Sequence, residues 1–110
     1  MSYVPERGDL IWLDFSPQSG HEQAGRRPAL VLSPHRYNSR VGLAIVCPIT
    51  SRATDYAFEV ALPPGGAISG VVLADQARSV DWIGRNAEFI DKAPTAALDD
   101  VLAKLAVLLS

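Results

Sequence analysis

One cysteine in 110 residues, Cys47, leaves no internal disulfide to hold a fold together. That fits a reducing compartment, where a lone cysteine is usually a buried small hydrophobe. Long apolar runs are missing too. The longest, Val41 to Ile49, contains Gly42 and Pro48 and falls far short of the ~20 residues that span a bilayer. The N-terminus carries Glu6, Arg7 and Asp9 and shows no apolar secretory segment. The expectation is therefore a cytoplasmic protein without membrane association. There is no phosphate-binding glycine loop ending in Lys-Ser or Lys-Thr, and no dinucleotide fingerprint follows a strand. No serine sits in a nucleophile elbow, and no cysteine pair could hold zinc. Histidine is scarce: only His21 and His35 are present. His21-Glu22 begins a metalloprotease pattern, but Gly25 stands where the second histidine belongs. A two-histidine ribonuclease would need both rings at one phosphate, and a turn residue and a loop residue do not suggest that. Neither a metal nor a cofactor is expected.

Hydrophobic residues make up 48% of the chain and charged residues 20%, which excludes disorder by composition. No repeat, low-complexity tract or long linker divides the sequence, so residues 1–110 read as one domain. The net charge of -2 argues against a generally basic nucleic-acid binder. The charge is unevenly spread, however. Residues 1–52 hold six arginines against four carboxylates, and residues 53–110 hold four cations against eight carboxylates. Between residues 18 and 52, five arginines face Glu22 alone. A local cationic surface can therefore sit on an acidic protein, and arginine's planar fork suits bidentate phosphate contacts. A merely solvated surface is the plainer reading of the same charges.

Asp9 to Phe15 (DLIWLDF) reads as a strand rich in aromatic and branched residues. Residues 16–27 read as a polar, glycine-punctuated loop, and Pro28 to Leu32 as a short buried strand. Ser33 to Ser39 reads as a turn or one helical turn, and Val41 to Ile49 as a fully buried strand. Thr50 to Tyr56 is a second polar loop. Phe58 to Leu62, Gly70 to Ala74 and Ser79 to Ile83 read as further short strands. The C-terminal segment differs in kind. Leu98, Val101, Leu102, Leu105, Leu108 and Leu109 recur at helical spacing over Thr95 to Leu109. Pro94 suits its start, Asp99 and Asp100 lie towards its positive end, and Leu98, Leu102 and Leu105 should be buried. Short strands closed by one helix indicate a mainly β fold: a small, bent, antiparallel sheet or barrel covered by a helix. Trp12 and Trp82 are assigned to its core.

Two polar loops adjoin buried strands, His21 to Pro28 and Pro48 to Arg52. Arg27 lies directly before one strand, with Pro28 biasing it towards extended backbone. Thr50 lies directly after another. An arginine and a threonine on rigid strand ends could together grip a phosphate or a carboxylate, with Glu22 accepting a proton nearby. On the residues alone, ordinary positions at a sheet edge remain the alternative.

The chain resembles the MazF/PemK family of toxin endoribonucleases. The resemblance is carried by Tyr3-Val4-Pro5, Gly8 to Trp12, Asp14-Phe15, Glu22 to Gly25 with Arg27-Pro28-Ala29, and Val31 to Pro34. It continues through Tyr37-Asn38, Pro48 to Ser51, Phe58 to Val60 and Gly70 to Gln76. It implies an SH3-like barrel with a C-terminal helix and a homodimer. It implies metal-independent cleavage of single-stranded RNA at a short sequence, and neutralisation by a MazE-like antitoxin that lays an acidic segment over the RNA groove. The family's catalytic arginine and threonine fall on Arg27 and Thr50, and its loop glutamate on Glu22. Asp75, Gln76 and Arg78 fall in a segment that lines the groove in relatives. With RNA as the implied substrate, Phe15, Gln23, Arg26 and Ser51 are further candidates for contact with it, and Phe15 and Tyr37 could stack on its bases or serve the core. Arg26 stands where a close relative has histidine. A gyrase-inhibiting toxin of the same fold is the rival reading, but such toxins use an aromatic tail and this chain ends Leu108-Leu109-Ser110. A plain SH3-like binding module is a third.

Overall fold

The computed structural model describes residues 3–15 and 25–110. Its elements run β1 (Asp9–Phe15), β2 (Gly25–Val31), α1 (His35–Val41), β3 (Ala44–Thr50), β4 (Glu59–Ala61), β5 (Val71–Leu73), β6 (Arg78–Val80), β7 (Glu88–Lys92) and α2 (Thr95–Leu109). All strand pairs are antiparallel. The strands follow the path β4-β5-β3-β2-β1-β7, and β6 joins β3 from the side. The expected barrel is not closed: β4 and β7 end the path without pairing to each other. Helix α2 leaves β7 and packs against β4 and a 3-10 turn at Ala74–Gln76. It therefore covers the seam that strand pairing would otherwise seal.

The sheet is buried on both faces, and the strand period of two sorts the residues. Leu10, Leu30, Cys47, Ile49, Val60 and Val72 share one cluster with Ala97 and Val101 of α2. Ile11, Leu13, Ala29, Val31, Ala44, Val46 and Val80 share the other with Trp82. Trp82 also donates from Nε1 to the Asn38 carbonyl at 3.0 Å. Trp12 departs from expectation: it is half-buried and belongs to neither cluster. It lies between Pro28 and Glu88, near the β7 edge, where one side of the sheet is open.

Strand β3 changes partner along its length. It pairs with β6 through Ala44, Ile45 and Val46, and with β5 through Ile49 and Thr50. The Ile45 amide donates to Ser33 Oγ and its carbonyl accepts from Leu32 N–H, so both groups of Ile45 face the β2 side. Alternation then turns the nitrogen of Pro48 to the opposite edge, in the gap between the two partners. A proline costs no ladder hydrogen bond there.

Several boundaries differ from those expected. β2 starts at Gly25, so Arg26 and Arg27 lie inside a strand rather than in the loop. The segment after Pro34 forms two helical turns, and Val41 belongs to that helix rather than to a strand. Gly42, at φ 80°, ends α1 in the left-handed region, with its N–H on the Asn38 carbonyl. Strand β7 had no expected counterpart. Helix α2 has the bounds anticipated, but Ala97 and Val101 are its buried residues, while Leu98, Leu102 and Leu105 are only half-buried. Asp99 and Asp100 lie beyond its first turn, and Asp100 pairs with Lys104 at 3.1 Å.

Val101 is fully buried, a side chain whose burial contributes about 1.5–3 kcal/mol. Val101→Asp adds an unpaired buried charge to that loss and should destabilise the fold by about 3 kcal/mol or more. Ala106→Asp, on the exposed face of the same helix, should stay within about 0.5 kcal/mol of the parent. Urea-unfolding midpoints of the two variants test the assignment, and equal shifts would contradict it.

Candidate active site

Strand register brings the two candidate catalytic residues together. β2 pairs with β3 in the register Ala29 to Pro48. Continuing it by two residues sets Arg27 abreast of Thr50, both on the face of Ala29, Val31 and Val46. On its other side Arg27 pairs with Leu13 of β1. Both Arg27 and Thr50 are half-buried. The Thr50 hydroxyl oxygen accepts the Arg52 N–H at 3.2 Å, which leaves its proton free to donate.

Phe15, two residues beyond Leu13 on the same face, adds a flat apolar surface beside this pair. Two guanidiniums approach its ring: Cζ of Arg78 at 5.7 Å and Cζ of Arg85 at 5.5 Å from the ring centroid. Arg78 stands opposite Val46 in the β3–β6 pair and so shares the face. Arg85 is tied to β1 twice: the Asp14 N–H donates to its carbonyl at 2.8 Å, and its Nη1 donates to the Asp14 carbonyl at 3.1 Å. Among the described residues, salt bridges involve only Arg26, Lys92 and Lys104 as cations. Arg27, Arg78 and Arg85 thus form a cationic patch that no described carboxylate neutralises. An arrangement of a hydroxyl, three guanidiniums and an aromatic ring suits a phosphodiester flanked by an unstacked base.

Arg26 does not join the patch. It follows the alternate face of β2 and is engaged by Asp14 at 2.7 Å, Glu88 at 3.0 Å and the Asn86 carbonyl at 2.7 Å. Hydrogen bonding to Asp14, then to Glu88, raises its pKa further. Hydrogen bonds from Asn86 and Arg26 lower that of Asp14. Arg26 thus takes part in an ion-pair network joining β1, β2 and β7. Ser51 is exposed directly beyond Thr50. Asp75 and Gln76 are exposed on the 3-10 turn between β5 and β6, and Asp75 accepts the Tyr56 hydroxyl at 2.7 Å. Tyr37 lies away from the patch, in a groove with Arg7, Leu102 and Leu105. Glu22, Gln23 and His21 lie outside the described residues. Burial, and secondarily the Asp75 charge, push the Cys47 thiol up to about 12, which removes it as a nucleophile.

A family model of PemK-like, MazF-like toxins of type II toxin–antitoxin systems matches residues 6–109. The chain belongs to that family. It is 46% identical over 107 residues to the endoribonuclease toxin MazF of Escherichia coli K12, covering 97% of this chain and 96% of the relative. It is 34% identical to the endoribonuclease PemK of Escherichia coli, covering 96% of this chain and 82% of the relative. The fold superposes on MazF in a MazE–MazF crystal structure from Deinococcus radiodurans with a TM-score of 0.92, at 57% identity, covering 98% of this chain and 97% of that one. Both curated relatives carry endoribonuclease names, which does not favour the gyrase-inhibitor or binding-module readings. Within this PemK/MazF member, Arg85 is the residue of the cationic patch that the sequence did not single out. It is one arginine in the acidic half of the chain, and only the tertiary contact with Asp14 carries it to Phe15.

The Asp14 network sets a pH dependence. A carboxyl held below its unfolded value, about 3.9, contributes stability above that pH and loses it as pH falls through the folded value. Asp14→Asn should therefore flatten the acid limb of the stability curve below about pH 4. Urea midpoints measured from pH 6 to pH 2.5 test this, and parallel curves for parent and variant would contradict it.

Proposed function

We propose that the chain is an endoribonuclease toxin that cuts single-stranded RNA at a short sequence, without metal, as a cytoplasmic homodimer neutralised by a MazE-like antitoxin. Residues 1–110 act as its one toxin domain. The observation that carries the reading is the juxtaposition of Arg27 and Thr50 within an arginine patch that no described carboxylate neutralises. The endoribonuclease relatives and the MazE–MazF structural neighbour support it. Among the described residues no helix is long and apolar enough to cross a membrane.

The chemistry follows from RNA itself. The 2'-hydroxyl attacks the adjacent phosphorus, a cyclic phosphate forms, and the 5'-oxygen leaves. Negative charge gathers on the non-bridging oxygens as the transition state forms. Arg27 stabilises that charge, and Thr50 donates a hydrogen bond to the same phosphate, a role worth roughly 3–4 kcal/mol for a well-placed donor. Glu22 is the proposed base for the 2'-proton. Arginine's pKa above about 12 makes Arg27 an electrostatic clamp before a proton donor. Phe15, flanked by Arg78 and Arg85, offers a ring on which an unstacked base can lie. Gln23, Ser51, Asp75 and Gln76 complete the proposed groove.

Arg27→Ala and Thr50→Ala should each lose at least ~100-fold in cleavage rate while keeping the parent's melting temperature. Rates near the parent's for either folded variant would refute the site. Cleavage should persist in excess chelator.

Binding gives an independent test. With an RNA carrying hydrogen in place of the 2'-hydroxyl at the cut site, three arginine contacts give a slope of log K against log salt of roughly -2. Arg85→Ala should flatten that slope by about 0.7, and Arg26→Ala should leave it unchanged. A salt-independent affinity would contradict phosphate binding by the patch.

A further inference from the structure

Gly70, the residue before β5, packs directly on the backbone of Thr50. Its φ of 121° lies in the region that favours glycine. A Cβ built on Gly70 falls well inside van der Waals contact of the Thr50 carbonyl oxygen. It also lies 3.1 Å from the Thr50 carbonyl carbon and 3.3 Å from Ser51 Cα. All three nearest atoms thus belong to Thr50 and Ser51, and all are backbone.

The two sides of this contact are not equally free to yield. The Gly70 carbonyl accepts the N–H of buried Leu62 at 2.9 Å, and the next residue, Val71, is buried and pairs with Thr50. Ser51 is exposed and opens a loop. A side chain at position 70 would therefore move Thr50 and Ser51 rather than the β4–β5 pair. Thr50 Oγ moves with that backbone, because the Arg52 N–H that holds it belongs to the same loop.

We infer that Gly70 is a positioning residue for the Thr50 hydroxyl: the missing side chain lets β5 set the height of Thr50 opposite Arg27. The inference rests on the catalytic reading of Thr50. It predicts that crowding at position 70 slows the chemical step and leaves RNA affinity and the global fold in place. Displacements of about 1 Å at a reacting group cost up to ~100-fold in rate.

The test compares Gly70→Ala, Thr50→Ala, the double variant and Gly65→Ala. Gly65 also has a positive φ, 89°, but a Cβ there meets nothing within 4 Å, so it controls for backbone strain alone. Single-turnover cleavage and binding of the 2'-deoxy RNA are measured for each, with melting temperature as the check on folding. Gly70→Ala should lose at least ~10-fold in rate with affinity within about twofold, and Gly65→Ala should cleave as the parent does. In the Thr50→Ala background, Gly70→Ala should change the rate by less than about twofold, because the group it displaces is gone. An unchanged rate in Gly70→Ala, or the same fold-loss with and without the Thr50 hydroxyl, overturns the inference. So does global unfolding of Gly70→Ala under conditions where Gly65→Ala folds, since that would make Gly70 a residue of the whole fold. If Thr50→Ala itself cleaves normally, the catalytic reading of Thr50 fails first, and that result is distinguishable from the others.

Discussion

The register of β2 against β3 is the constraint on which the site depends. Ala29 opposite Pro48 fixes which face every residue of both strands takes. A slip of β2 by one residue against β3 would turn Val31 away from the cluster it shares with Val46 and send Arg27 and Thr50 to different faces. Because both faces of these strands are buried, the slip would expose apolar side chains whichever way it went. The packing that stabilises the sheet therefore also sets the geometry of the candidate site, and the two cannot vary independently.

This arrangement explains how an acidic protein presents a cationic surface. The carboxylates that balance the chain are used elsewhere. Asp9 is buried and engages Tyr3 and Lys92, Asp14 and Glu88 hold Arg26, and Glu59 holds the amide and hydroxyl of Thr54. Each carboxylate so engaged is unavailable to neutralise the patch. Field strength at the Phe15 end then depends on where charges lie, not on their sum. The same division separates Arg26 from Arg27. The residues are neighbours in sequence, yet one serves the frame and the other faces the site.

Much of this was legible in the sequence, for reasons that differ by element. DLIWLDF could hardly be anything but a strand, and the leucine spacing after Pro94 marked α2 to its observed bounds. The family resemblance carried Arg27 and Thr50. Strand β7 was not legible: EFIDK places two apolar residues among three charges, and only pairing with β1 makes it a strand. Helix α1 was read too short because HRYNSRV has little apolar periodicity and is held by the buried Asn38. Arg26 looked like a partner to Arg27 until the strand start at Gly25 fixed the alternation. Arg85 gave no local signal, since its place is set by a contact 71 residues away in the chain.

The change of partners along β3 has a consequence for how the molecule breathes. Pro48 donates no hydrogen bond towards the far edge of β3, where β6 gives way to β5. Both packed clusters take residues from β1, β2 and β3, so the core is shared across this change of partner. β5 meets β3 only at Ile49 and Thr50, however, a far shorter ladder than the one joining β1 and β2. Fraying of that short ladder, read as faster amide exchange at Val71 than along β1, is therefore the local opening that reaches the hydroxyl of the candidate site while leaving Arg27 in its ladder.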